Sequence, residues 1–208
     1  MELHPIHLKL ENANCLVIGG GEIALRKVKE LIKCCARIRV ISPKLCVKLE
    51  GLKKKNKFKY IRTKYRKNLL KTSLVVFAAT DEIKVNERIA KDAFARNLLV
   101  NVVDNPRLCN FYSPGIIRDK NFLLSISTQG KFPGMTKLIK NECQRVLKKY
   151  STNFKFLVKL RSQIKQKYQD KKTREKIMRG LAASEMLAAI NDKKIKSLKD
   201  LEMYLNIF

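Results

Sequence analysis

Tryptophan is absent from the chain, and histidine occurs only at His4 and His7. The six cysteines (15, 34, 35, 46, 109 and 143) contain no Cys-x-x-Cys pair, so no zinc-ligand spacing can be assembled and no resident metal is expected. Each cysteine reads as a small buried hydrophobe with a free thiol, and adjacent Cys34 and Cys35 point different ways on a helix. No run approaches the ~20 uninterrupted apolar residues of a membrane span. The opening MELHPIHLKLEN lacks the basic, apolar, small-residue order of a signal peptide. A soluble, cytoplasmic protein with no membrane partner is expected. Acid is also scarce, with 18 Asp and Glu against 46 Lys and Arg for a formal charge of +28. So basic a chain suggests nucleic acid first. The lysines, however, are spread along the whole length, aromatic residues make up 7%, and no RNA-reading aromatic pattern or zinc-finger spacing is present. Each basic cluster therefore reads as a solvated face, and no nucleic-acid partner is expected.

With 45% hydrophobic residues in 208, the chain can build a proper core. Apolar runs alternate with helix-like stretches through the first half: Asn14–Ile18, Arg37–Ile41, Phe58–Ile61, Leu74–Ala79 and Leu98–Val103 read as strands. The order βαβαβαβαβ predicts an α/β fold, a Rossmann-like doubly wound parallel sheet. Beyond the loop Asp104–Pro114, Gly115–Arg118 and Phe122–Ser127 read as a hairpin, and a helix follows Pro133 to about Tyr150. From Ser151 onward the chain is almost all helix former, with a break near Gly180. The expected organisation is thus a dinucleotide-binding domain over 1–113, a small α+β element over 114–150 and a helical C-terminal tail over 151–208.

Directly after the first strand, Gly19-Gly20-Gly21-Glu22-Ile23-Ala24 fits G-x-G-x-x-A before a helix. Gly19 permits the tight turn, Gly21 leaves room for a pyrophosphate, and Ala24 keeps the helix near the sheet, so the helix N–H groups face the phosphates. The acid that usually reads ribose hydroxyls after strand two is missing; Ser42-Pro43-Lys44 stands there, and Lys44 is placed to approach a 2′-phosphate. At the ends of strands four and five lie Asp81, which fits a helix cap, and Asp104, which fits either a general base or a turn residue.

Together, GGGEIALRK at 19–27, ATDE at 79–82, Asn86, NVVD at 101–104, FYSP at 111–114 and STQGKFP at 127–133 resemble the siroheme-synthase dehydrogenase family. These are precorrin-2 dehydrogenases, some of which also act as sirohydrochlorin ferrochelatases. The resemblance spans about residues 3–145. It implies NAD as cofactor, contacted at Glu22, Ile23, Pro43 and Lys44 beside the glycines. It makes Asp104 the catalytic carboxylate, with Asn101, Ser127 and Thr128 toward the tetrapyrrole substrate. It also implies a homodimer joined through the 114–150 element, with a helical tail that closes the site and with Fe2+ or Co2+ as a further substrate in bifunctional members. A family serine that is phosphorylated in some members falls on Thr128, beside Ser127. An alternative from another class is a dinucleotide-sensing regulatory module whose basic surface binds a partner, although such modules usually keep the acid after strand two.

Overall fold

The structure is a computed structural model that describes residues 3–129 and 131–206. The chain divides into two compact units, the first comprising Met1–Pro114 and Gln129–Lys131, the second Gly115–Thr128 and Phe132–Phe208.

In the first unit, β1 (Asn14–Ile18), β2 (Arg37–Ile41), β3 (Lys59–Ile61), β4 (Val75–Ala78) and β5 (Leu99–Val102) form one sheet in the order β3-β2-β1-β4-β5. Every pairing is parallel, with Leu16 opposite Arg39 on one side and Val76 on the other. Both faces are covered, which is why the central strands read as unbroken apolar runs. Residues 15–18 are at most 2% exposed. Helix α1 (Glu22–Lys33) and helix α2 (Val47–Lys54) follow β1 and β2, and α3 (Ile83–Phe94) links β4 to β5. Ala24, Val28 and Leu31 of α1 pack against Val17, Val40 and Phe77, while Ile89 and Ala93 of α3 pack against Leu16, Val76 and Val100.

Two expectations need correction here. No helix joins β3 to β4; a single 3₁₀ turn at Lys67–Leu70 does so. The linker has only Tyr65, Leu69 and Leu70 to bury, too few for a helical stripe, and Thr72 at φ +65° ends it. The helix before β5 also starts later than Thr80, at Ile83, with Glu82 at its N-cap position.

In the second unit, β6 (Gly115–Arg118) and β7 (Leu123–Ile126) form an antiparallel hairpin, and α4 (Pro133–Ser151) packs on it. The tail is more broken than its composition suggests: α5 (Phe154–Lys167), α6 (Lys171–Leu181), α7 (Ser184–Asn191) and α8 (Leu198–Tyr204) are four separate helices. The break near Gly180 is present, one residue beyond it, with α6 ending at Leu181 and α7 starting at Ser184. Two of the breaks fall at polar caps, where the Asp170 carboxylate accepts the Thr173 N–H at 2.7 Å and the Ser197 hydroxyl accepts the Asp200 N–H at 3.2 Å. Leu160, Ile164, Ile177 and Leu201 form a fully buried centre for these helices. Among the described residues no helix is long and apolar enough to cross a membrane.

Candidate functional site

The carboxyl ends of β1, β2 and β4 surround a cleft of about 410 Å³. Its floor is the glycine turn. Gly19 has φ +131°, and a Cβ there would sit 2.0 Å from the Ala79 carbonyl oxygen, so this position combines a backbone only glycine adopts with a contact only glycine tolerates. Gly20 is equally constrained, from the other side: a Cβ would meet the Lys44 carbonyl oxygen at 1.9 Å and Ser42 Oγ at 2.7 Å. The Cys46 N–H donates to the Gly20 carbonyl at 2.8 Å, which ties the turn to the loop after β2. Gly21 differs, because nothing lies within 4 Å of where its Cβ would be.

Gly21 is also the N-cap of α1 and supplies no side-chain acceptor. No side chain caps the first N–H groups of that helix, and the space beside Gly21 is open, which is the donor set and the room that a diphosphate needs. Ligand room and unsatisfied donors coincide at one point, so a dinucleotide fits.

The walls are set by the turns after β2, β3 and β4. Ser42 and Pro43 form one side, and the Ser42 hydroxyl donates to the Lys44 carbonyl at 2.6 Å. Thr63, Lys64 and Tyr65 add a segment after β3 that sequence reading passed over. The Tyr65 hydroxyl donates to Asp92 Oδ2 at 2.9 Å; burial and this carboxylate push its pKa up, so it stays a neutral donor. Arg88, at 4.0 Å from the same carboxylate, shares the wall, its guanidinium 5.9 Å from the Tyr65 ring centroid. The sequence signal for Tyr65 was its place after β3; Arg88, inside α3, had none.

On the β4 side, Thr80, Asp81 and Glu82 line the cleft. Asp81 is not the helix cap that the sequence suggested. Thr80 does the local work instead: its Oγ1 accepts the Glu82 N–H at 3.3 Å and donates to Asn86 Oδ1 at 2.7 Å, while Asn86 Nδ2 returns a bond to the Thr80 carbonyl at 2.9 Å. The Asp81 carboxylate is thereby left at the cleft surface.

Of the cofactor-site residues expected from the sequence, Gly19, Gly21 and Pro43 line this cleft. Glu22 begins α1 and pairs with Lys48 at 3.6 Å, Ile23 is 36% exposed beside it, and Lys44 follows Pro43 on the surface. Asp104 does not line the cleft. It lies two residues past β5, exposed, with φ +62°. That left-handed backbone is uncommon outside glycine, and Asp and Asn are the side chains that tolerate it best. Asn101 is inside β5 and 9% exposed; its amide donates to the Phe111 carbonyl at 3.1 Å and so pins the loop that follows Asp104. Cys109 braces the same loop, its thiol donating to the Val102 carbonyl at 3.3 Å, and burial raises its pKa. Ser127 and Thr128 belong to the second unit, just past β7, where Thr128 Oγ1 accepts the Phe132 N–H at 3.3 Å.

One buried cation escaped sequence reading. Lys27 of α1 is 5% exposed, with Nζ 5.2 Å from the Phe77 ring centroid and 3.7 Å from Glu30. Burial lowers its pKa, and Glu30 opposes that shift. Among the described residues no group of three His, Cys, Asp or Glu is placed to hold a metal ion.

A parallel sheet in this order, with a glycine turn opening onto a helix start at the strand crossover, defines a dinucleotide-binding protein of the doubly wound class. The chain belongs to the family described as "Putative NAD(P)-binding", whose model matches residues 6–115. It is 32% identical over 193 residues to the siroheme synthase of Methylobacillus flagellatus, a match covering 90% of this chain and 41% of that protein. It is 33% identical over 214 residues to the siroheme synthase of Nitrosospira multiformis, covering 98% and 45%. The chain thus spans less than half the length of these relatives. A solved structure named SirC, precorrin-2 dehydrogenase, superposes with a TM-score of 0.79 at 21% identity, covering 99% of this chain and all of that one, and shares its fold.

Proposed function

We propose that the chain dehydrogenates precorrin-2 to sirohydrochlorin with NAD as hydride acceptor. The observation that carries this reading is Asp104: an exposed carboxylate held at φ +62° past β5, on the same strand-end edge as the glycine cleft. The substrate must lose two electrons and two protons. Bound nicotinamide supplies the chemistry for a hydride, which removes both electrons and one proton. The Asp104 carboxylate takes the second proton and passes it to water. Gly21 and the first turn of α1 hold the diphosphate, and Asp81 and Glu82 bound the cleft beside it. The names of the relatives and of the solved structure support the substrate class.

The working form is a homodimer built through the 114–150 element, the helical tail over 151–208 serving as a cover for the substrate. Support comes from the second unit, where Ile116, Leu123, Leu138 and Val146 are apolar yet 37–61% exposed on the hairpin and α4.

A coupled assay tests the function. Purified chain is supplied with precorrin-2 and NAD+, NADH absorbance is followed, and Fe2+ or Co2+ is then added to ask whether the product is metallated. NADH formation that requires precorrin-2 is expected. No turnover, together with tight and salt-sensitive DNA binding, would hand the reading to a dinucleotide-sensing regulatory module.

A further inference from the structure

Resting on the dinucleotide reading above, we propose that the cleft accepts NADP+ as well as NAD+, its 2′-phosphate being taken by Arg62, Lys64 and Lys44 at the ends of β2 and β3. The sheet order puts β2 and β3 on one side of the glycine turn and β4 and β5 on the other. In this fold the adenosine half of the ligand turns toward β2. NAD-selective sites station a carboxylate there, which binds the ribose hydroxyls and repels a phosphate. Here the position is Ser42, 7% exposed, whose hydroxyl is spent inside the turn on the Lys44 carbonyl at 2.6 Å. Nothing at the end of β2 rejects a dianion.

Cations fill the same place. Arg62 follows β3 and donates its Nε to the Pro43 carbonyl at 3.3 Å, which draws the guanidinium onto the β2 turn; Pro43 and Lys64 line the cleft, and Arg62 and Lys44 flank them in sequence. Among the described residues, its two terminal nitrogens and the ammonium groups of Lys44 and Lys64 have no carboxylate partner. The nearby acid Glu22 is occupied by Lys48 at 3.6 Å, and the carboxylates of the cleft, Asp81 and Glu82, stand after β4 rather than β2. A guanidinium fork with two ammonium groups, and no acid among them, suits a phosphate monoester. The remaining cation of the lining, Arg88 of α3, is paired with Asp92 at 4.0 Å, so the positive charge without a carboxylate lies on the β2 and β3 side and directs the 2′-phosphate there.

Calorimetric titration of the full chain with NAD+ and NADP+, at low and high salt, tests this. NADP+ should bind within about tenfold of NAD+, and its Kd should rise more steeply with salt. Lys64→Ala and the double variant Arg62→Ala/Lys64→Ala should each raise the ratio of the NADP+ Kd to the NAD+ Kd, the double variant by roughly tenfold, the worth of a charge-assisted hydrogen bond. Lys44→Glu, which returns an acid to the end of β2, should raise the ratio too. Circular dichroism confirms that each variant is folded, as expected for exposed side chains. Binding of NAD+ with no measurable binding of NADP+, or a ratio that both alanine variants leave unchanged, overturns the inference while sparing the proposed function. Binding of neither dinucleotide overturns both.

Discussion

Three adjacent glycines are held for three different reasons, and substitution separates them. Gly19→Ala forces a left-handed backbone and a 2.0 Å clash with a main-chain oxygen that cannot yield, so a loss of about 3 kcal/mol or more of stability is expected, read as a lower denaturation midpoint. Gly21→Ala meets nothing within 4 Å in the protein. Its midpoint should stay close to wild type while dinucleotide affinity falls by roughly tenfold or more, because the new methyl occupies the space left for the diphosphate. Equal destabilisation by both changes would contradict the assignment of Gly21 to the ligand. Asp104 is probed best by Asn, which tolerates the φ of +62° and keeps the shape while removing the base. Asp104→Asn should lower kcat by roughly 100-fold or more with an unchanged melting temperature and unchanged NAD binding. Retention of full turnover would remove the carboxylate from the chemistry.

At the scale of elements, β1 could be read with its bounds because its apolar run is buried on both faces, and β2 because buried Ile38, Val40 and Ile41 stand among and after the arginines, before the closing Ser42-Pro43. The hairpin β6–β7 was legible from its turn residues. The missing β3–β4 helix was not, since a short basic linker satisfies the alternation of strands and helices as well as a helix would. Nor could sequence show why Gly20 is needed, because its neighbours Lys44 and Ser42 come from another turn. The cleft wall of Tyr65 and Arg88 depends on Asp92, which only the packing of α3 reveals. The tail hid a further polar feature: Glu202 of α8, 2% exposed, accepts Lys167 Nζ at 2.8 Å and the Tyr168 hydroxyl at 2.5 Å. Burial alone would raise its pKa, but these two hydrogen bonds and the Lys167 charge more than offset this and hold it below 4.5. A folded pKa below the unfolded one means that the unfolded chain binds more protons, so the stabilisation is complete above about pH 4.5 and is lost as pH falls through the folded value. Glu202→Gln should therefore melt lower than wild type at neutral pH, and the gap should narrow as the medium is acidified. A gap independent of pH would assign the loss to packing rather than charge.

The whole molecule carries two features that local packing does not use: exposed apolar residues on α4 and a charge of +28. The first should show as assembly. Leu138→Glu places a charge on a side chain 61% exposed in the second unit, which costs little in a monomer and much in an interface. Sedimentation should find wild type dimeric and the variant monomeric; a wild-type monomer would refute the proposed assembly. The second should show as kinetics. Precorrin-2 is a polycarboxylate, and a strongly basic protein attracts it over distances comparable with the Debye length, about 10 Å at 0.1 M salt. Encounter would be accelerated by that field, whereas the proposed hydride and proton transfers in the bound complex would not. Raising ionic strength should consequently lower kcat/KM for precorrin-2 several-fold while leaving kcat nearly constant. If kcat/KM is flat with salt, the positive surface plays no part in substrate capture, and the excess lysine reflects composition rather than function.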